Sequence, residues 1–142
     1  MLLVVDANIL IGELLRKRGQ ELIKDSRLTL YISERIIGET NYELSKRINL
    51  MIEQNKISYN DGIERLYHAR NIIDNLINIV PFNSYQHLEN KAKNLIPRYP
   101  NDWEIVAIFL LLDIDIWTND CDFVGCGRGT WTTETLIYIL NT

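Results

Sequence analysis

The chain has 142 residues, 46% of them hydrophobic and 24% charged, with a formal net charge of −4. That length and apolar share suit one folded domain with a real core, and no run approaches the roughly 20 apolar residues a membrane span requires. The negative balance works against a simple nucleic-acid-binding surface, since phosphate contacts ask for a positive field; basic residues nevertheless gather locally at Arg16-Lys17-Arg18, Lys46-Arg47 and Lys91, Lys93 and Arg98.

Leu2-Leu3-Val4-Val5 is a continuous apolar run, the mark of a strand buried on both faces of a parallel sheet. It meets Asp6 directly, without a basic region or cleavage site, and so reads as a strand and not as a signal peptide. Asn8 is placed to cap a helix carrying Ile9, Leu10, Leu14 and Leu15 and stopping at Gly19. Leu28–Ile32 reads as a second strand. Ser33 then caps a helix to about Ile48, with Ile36, Ile37 and Leu44 on one side. Ser58 opens another helix, in which Ile63, Leu66, Ile72, Ile73 and Leu76 recur at helical spacing. Ile79–Phe82 is a third short strand, and Ser84 begins a helix bearing Leu88, Ala92 and Leu95 that ends before Pro97. Asn101 followed by Glu104 resembles a capping box, opening an almost wholly apolar helix through Leu112. Ile114–Thr118 and Thr130–Thr132 are the remaining strands, and Thr133 caps a terminal helix, Glu134–Leu140. Strands alternating with helices predict an α/β three-layer sandwich around a mainly parallel sheet of about five strands. In such sheets ligands bind beyond the carboxyl ends of the strands.

Acidic residues collect where that rule points. Asp6 ends the first strand, Asp120 and Asp122 follow the fourth, Asp102 lies in the first turn of the apolar helix, and Glu39 sits two turns into the helix after the second strand. Each alone has a structural explanation: an Asp near a helix start complements the dipole, and an Asp after a strand makes a turn. Converging on one edge, they would raise one another's pKa values unless something positive sat among them. None of these segments contains Lys or Arg, so the expected partner is a hard divalent cation, Mg²⁺ or Mn²⁺, serving phosphoryl chemistry. Cys121 and Cys126 have no partner at metal-ligand spacing and read as incidental thiols of a cytoplasmic protein. His68 and His87 fall on amphipathic helices as surface or boundary residues. Tyr59, Tyr67, Trp103 and Trp117 are expected to pack and not to stack on bases.

The same residues carry a family resemblance. Val4-Val5-Asp6-Ala7-Asn8-Ile9-Leu10 resembles the opening motif of PIN-domain proteins, and Pro100-Asn101-Asp102-Trp103-Glu104-Ile105-Val106-Ala107 their third acidic motif. Ile116-Trp117-Thr118-Asn119-Asp120-Cys121-Asp122-Phe123 is similar to the signature W-[ST]-N-D-x-D-F, and Thr132-Thr133-Glu134-Thr135-Leu136 to the closing segment TTEEL. The resemblance spans essentially the whole chain, as a single PIN-like, Rossmann-like domain. It implies a Mg²⁺- or Mn²⁺-dependent ribonuclease in which Asp6, Asp102 and Asp120 coordinate metal and Asp122 assists. Glu39 supplies the second acidic position, although Glu43 shares its helix face at four-residue spacing; Asn8 and Thr118 orient the carboxylates. It also implies an RNA substrate and, for a toxin of a toxin–antitoxin pair, an antitoxin partner and a homodimer. The long helix from about Asn55 to Leu76 departs from the shortest PIN toxins and resembles a subgroup described only as nucleic-acid-binding.

Other acidic α/β sites fit poorly. A receiver domain needs paired acids after the first strand and a Lys after the last, a haloacid-dehalogenase-type phosphatase needs an acid where Asn8 stands, and a dinucleotide-binding domain needs a Gly-rich first turn. The competing expectation is a non-catalytic PIN-fold module that binds RNA or a partner protein.

Overall fold

The computed structural model describes residues 1–142 around a sheet of five strands, all parallel. The strands are β1 (Leu2–Val5), β2 (Thr29–Ser33), β3 (Ile77–Val80), β4 (Asp115–Trp117) and β5 (Thr130–Trp131). Their order is β3-β2-β1-β4-β5, so the chain builds outward from β1 on one side and then returns to build on the other. Side chains alternate across a strand, and here both faces are covered. Leu3 and Val5 enter one core while Val4 enters the other; Trp117 and Ile116 of β4 divide in the same way. The uninterrupted apolar run of β1 follows from that double burial.

One face is covered by α1 (Ala7–Leu14), α2 (Lys17–Ile23), α3 (Glu34–Glu53), α4 (Tyr59–Leu76) and α8 (Thr133–Leu140). The other carries α5 (Phe82–Tyr85), α6 (Glu89–Leu95) and α7 (Trp103–Leu112). The three-layer α/β architecture expected from the alternation is therefore present. Ser33 and Ser58 cap α3 and α4 as expected, each accepting amide hydrogen bonds from the first turn.

Several local expectations are corrected. Asp6, not Asn8, caps α1, because its Oδ1 accepts from the Asn8 amide at 3.2 Å. Gly19 does not stop a helix; it lies inside α2, where an added Cβ would sit 2.3 Å from the Glu13 carbonyl oxygen, so glycine permits the close approach of α1 and α2. The β3 strand starts at Ile77, two residues early, because α4 runs into it without a linker. The helix expected from Ser84 is broken into α5, a 3₁₀ turn at Gln86–Leu88 and α6. No capping box opens α7: a 3₁₀ turn at Pro100–Asp102 precedes it, Asp102 is its N-cap, and the Glu104 side chain turns inward. Thr132, one residue before Thr133, caps α8 in a reciprocal box with Thr135. Trp103 and Trp117 are buried as expected, but Tyr59 and Tyr67 are exposed on α4. Both cysteines are free.

Two glycines on the helical face give opposite expected outcomes. Gly19→Ala should destabilise the fold by about 1–3 kcal/mol through overpacking against Glu13. Gly38→Ala, in α3 with nothing within 4 Å of its added Cβ, should stabilise by about 0.5–1 kcal/mol through helix propensity. Urea unfolding of the two variants beside wild type checks the difference in sign.

Candidate active site

The carboxyl edge of the sheet opens where β1 and β4 lie side by side, the point at which the strand order reverses. Asp6 leaves β1 there, and its amide donates to the Trp117 carbonyl at 3.0 Å. Its two carboxylate oxygens have different duties. Oδ1 caps α1, and Oδ2 accepts from the Thr118 hydroxyl at 2.9 Å. Thr118, buried just past β4, in turn accepts from the Asp120 amide at 3.0 Å. Asp120 Oδ1 accepts from the Asp122 amide at 2.9 Å and caps the short turn Cys121–Phe123. One hydrogen-bonded run thus fixes Asp6, Thr118, Asp120 and Asp122.

A cleft of about 460 Å³ lies over this edge, within the roughly 300–1,000 Å³ typical of small-molecule sites. Asp6, Asn8, Glu39, Glu43 and Asp102 line it, and Asp120 with Asn119 lines an adjoining recess that shares Asp6 and Asn8. Asp102 caps α7 by position but makes no side-chain capping bond, which leaves its carboxylate uncommitted. Glu39 and Glu43 both face the cleft from α3. Thr118 stands behind it, and Asp122 lies beyond Asp120 without lining it.

The carboxylates are held where ionisation is unfavourable. Burial raises the pKa of Asp6; the bonds from Thr118 and Asn8 pull it partly back, and the Asp120 charge pushes it up again. Burial also raises Asp102, followed by the charges of Asp6, Asp120 and Asp122. Desolvation and then Asp120 raise Asp122, against an opposing pull from Arg98. These mutual effects place the four groups within electrostatic reach of one another.

No cation lies beside Asp6, Asp102 or Asp120 in the sequence, but the fold brings two into the cleft. Arg35 from the first turn of α3 and Lys93 from α6 line the cleft together with Glu104. Glu104 is buried and accepts from the Tyr85 hydroxyl at 2.9 Å and from Ser33 at 3.4 Å; Ser33 and Tyr85 are themselves 2.6 Å apart. Burial, with the Glu104 bond adding to it, holds the Tyr85 hydroxyl protonated, its pKa pushed up to about 12. Arg35 Nε lies 3.6 Å from Glu104. One signal in the sequence did point to Arg35: it precedes Glu39 by four residues on one helix and must share its face.

The donor set is carboxylate oxygen throughout, the chemistry that Mg²⁺ or Mn²⁺ selects, and the raised pKa values mark negative charge that a cation would relieve. No three His, Cys, Asp or Glu side chains stand in metal-ligand geometry, so the fit lies in donor type and proximity. A raised folded-state pKa means that the folded protein binds the proton more tightly than the unfolded chain does. Ionised Asp102 therefore costs stability above its folded pKa, and that cost disappears as the pH falls toward the ordinary carboxylate value. In EDTA at neutral pH, Asp102→Asn should raise Tm by about 1–3 °C, with the gain fading toward pH 4. Thermal melts across that pH range check it.

Residues 4–141 match the family model described as a PIN domain. No curated protein matches the chain. PIN domains are generally nucleases and typically use divalent metals. With the match covering nearly every residue and the parallel sheet carrying its acids at the β1–β4 edge, the chain belongs to the PIN-domain family.

Proposed function

We infer that the cleft is the active centre of a Mg²⁺- or Mn²⁺-dependent endoribonuclease, which hydrolyses RNA phosphodiester bonds. The observation that carries this reading is the convergence of Asp6, Asp102 and Asp120 on one edge of the sheet, near enough that, beyond burial, the Asp120 charge raises the pKa of Asp6 and the Asp6 and Asp120 charges raise that of Asp102. Asp6, Asp102 and Asp120 would hold the ion, Asp122 would assist from beside Asp120, and Asn8 and Thr118 would orient those carboxylates. A divalent cation there supplies polarisation of the phosphoryl oxygen and neutralises charge on the leaving oxygen. Glu39, or Glu43 one turn further on, accepts a proton from the attacking water. The water oxygen bonds to phosphorus as the bond from phosphorus to the leaving ribose oxygen breaks, and that oxygen takes up a proton.

RNA as the substrate rests on the likeness of the motifs to PIN-domain ribonucleases. The same likeness supports two settings in the cytoplasm. One is a homodimeric toxin held by an antitoxin protein; the other is an RNA-processing enzyme, toward which the long α3–α4 segment inclines. A non-catalytic PIN module that binds RNA or protein is the second reading; its mark would be the loss of a core acid, and Asp6, Asp102 and Asp120 are all present.

Cleavage of fluorescent single-stranded RNAs in Mg²⁺ or Mn²⁺, set against EDTA, tests the proposal. Wild type should cut only with metal, and Asp6→Asn and Asp120→Asn should each lose more than about 100-fold in rate while remaining folded. Thr118→Val, which removes the hydroxyl bridging Asp6 and Asp120, should lose about 10–100-fold. Of Glu39→Gln and Glu43→Gln, the one with the larger loss identifies the proton acceptor. No cutting by folded wild type in either metal would move the reading to the binding module.

A further inference from the structure

We propose that Arg35 is the cleft's phosphate-binding residue and that buried Glu104 positions it to grip a backbone phosphate of a bound nucleic-acid strand. The inference rests on the reading of the cleft as a nucleic-acid site but not on cleavage. Arg35 lines the same cleft as Asp6, Glu39 and Asp102. Two contacts restrict its guanidinium. Nε lies against Glu104, and Cζ stands 4.8 Å above the centroid of the Phe82 ring. Phe82 is itself held edge-on to Tyr85, with centroids 5.5 Å apart, and Tyr85 donates to Glu104. The platform beneath Arg35 is therefore rigid.

No hydrogen bond within the protein uses the Arg35 guanidinium; its backbone amide alone is engaged, with Ser33. The side chain is 58% exposed, so its terminal nitrogens are open to solvent while Nε is anchored. A guanidinium fixed on one edge and open on the other is suited to a bidentate grip on phosphate oxygens. Glu104 is buried, at 10% side-chain exposure, and meets the guanidinium at Nε. Lys93 is the weaker candidate. It is ion-paired with the half-exposed Glu89 at 3.6 Å, and its ammonium is a flexible point charge 5.9 Å from the Trp103 ring centroid. Arg35 and Lys93 thus share the cleft with its carboxylates. A strand crossing it would set one phosphate at the acids and a neighbouring phosphate on Arg35.

The test is binding of a short fluorescein-labelled single-stranded RNA to the Asp6→Asn protein in Mg²⁺, read by anisotropy over a series of NaCl concentrations. Arg35→Gln in that background should weaken binding about three- to tenfold and reduce the slope of log Kd against log salt by about 0.7, the loss of one phosphate contact on a single strand. Arg35→Lys should retain the slope and lose part of the affinity. Glu104→Gln should weaken binding when Arg35 is present and have no further effect once Arg35 is Gln, a dependence that a merely structural Glu104 would lack. Arg16→Gln makes the same charge change outside the cleft and should alter neither quantity. The proposal is overturned if Arg35→Gln binds like its parent, if Arg16→Gln matches its loss, or if the parent binds no RNA. Arg35-dependent binding by a protein whose wild type cuts nothing would retain the inference and remove the endoribonuclease reading.

Discussion

The parallel pairing of β1 with β4, Val5 beside Trp117, determines whether this chain has a site at all. Burial, and beyond it the Asp120 charge, makes the ionisation of Asp6 unfavourable, so the two carboxylates repel. Left to themselves, such groups would separate. They are held together by bonds other than any between the two carboxylates: the Asp6 amide to the Trp117 carbonyl, and the Thr118 hydroxyl between the Asp6 carboxylate and the Asp120 amide. Sheet hydrogen bonds and the double hydrophobic core therefore offset a local electrostatic cost that the acidic edge imposes. Concentrating unfavourable charge on a rigid sheet edge is what prepares a site to receive a cation.

The two faces of the sheet make different contributions to the cleft. From the α1–α3 side come the capping role of Asp6 and the row Arg35, Glu39 and Glu43 on one side of α3. From the α5–α7 side come Asp102, Glu104 and the aromatic group of Phe82, Tyr85 and Trp103. Ser33, at the end of β2, touches both: its hydroxyl receives the Arg35 and Ile36 amides and meets Tyr85 and Glu104. A single serine thus starts α3, fixes the direction in which the helix presents its acids, and ties it to the opposite layer.

What could be read from the chain was whatever depends on nearest neighbours or on burial alone. Apolar or β-branched runs mark the first four strands, Ser33 and Ser58 announce their helices, and Asp6, Asp102 and Asp120 stand out at strand and helix ends. Asn8 suits a cap by residue type, but Asp6 suits it equally, and only backbone geometry separates them. Gly19 was read as a stop because glycine ends helices more often than it admits a neighbouring one; the crowding against Glu13 that requires it is a tertiary fact. Glu104 fitted a capping box by spacing, yet its carboxylate goes to Tyr85, a partner 19 residues away. Lys93 shows in the sequence only as one of a basic group, and Arg35 gives no sign of a role beyond its spacing from Glu39, because both reach the cleft from segments that contain none of its metal-binding acids.

The Thr118–Asp6 bond joins residues 112 apart in the chain, and β5, which flanks β4, follows later still. Chains are made from the amino end at about 5–20 residues per second, so Asp6 is synthesised many seconds before anything that could complete its surroundings. Until β4 emerges and docks against β1, the Asp6–Thr118–Asp120 run does not exist in any part of the nascent chain. The strand order therefore acts as a timer: the acidic edge cannot be assembled until β4, more than a hundred residues after Asp6, has left the ribosome.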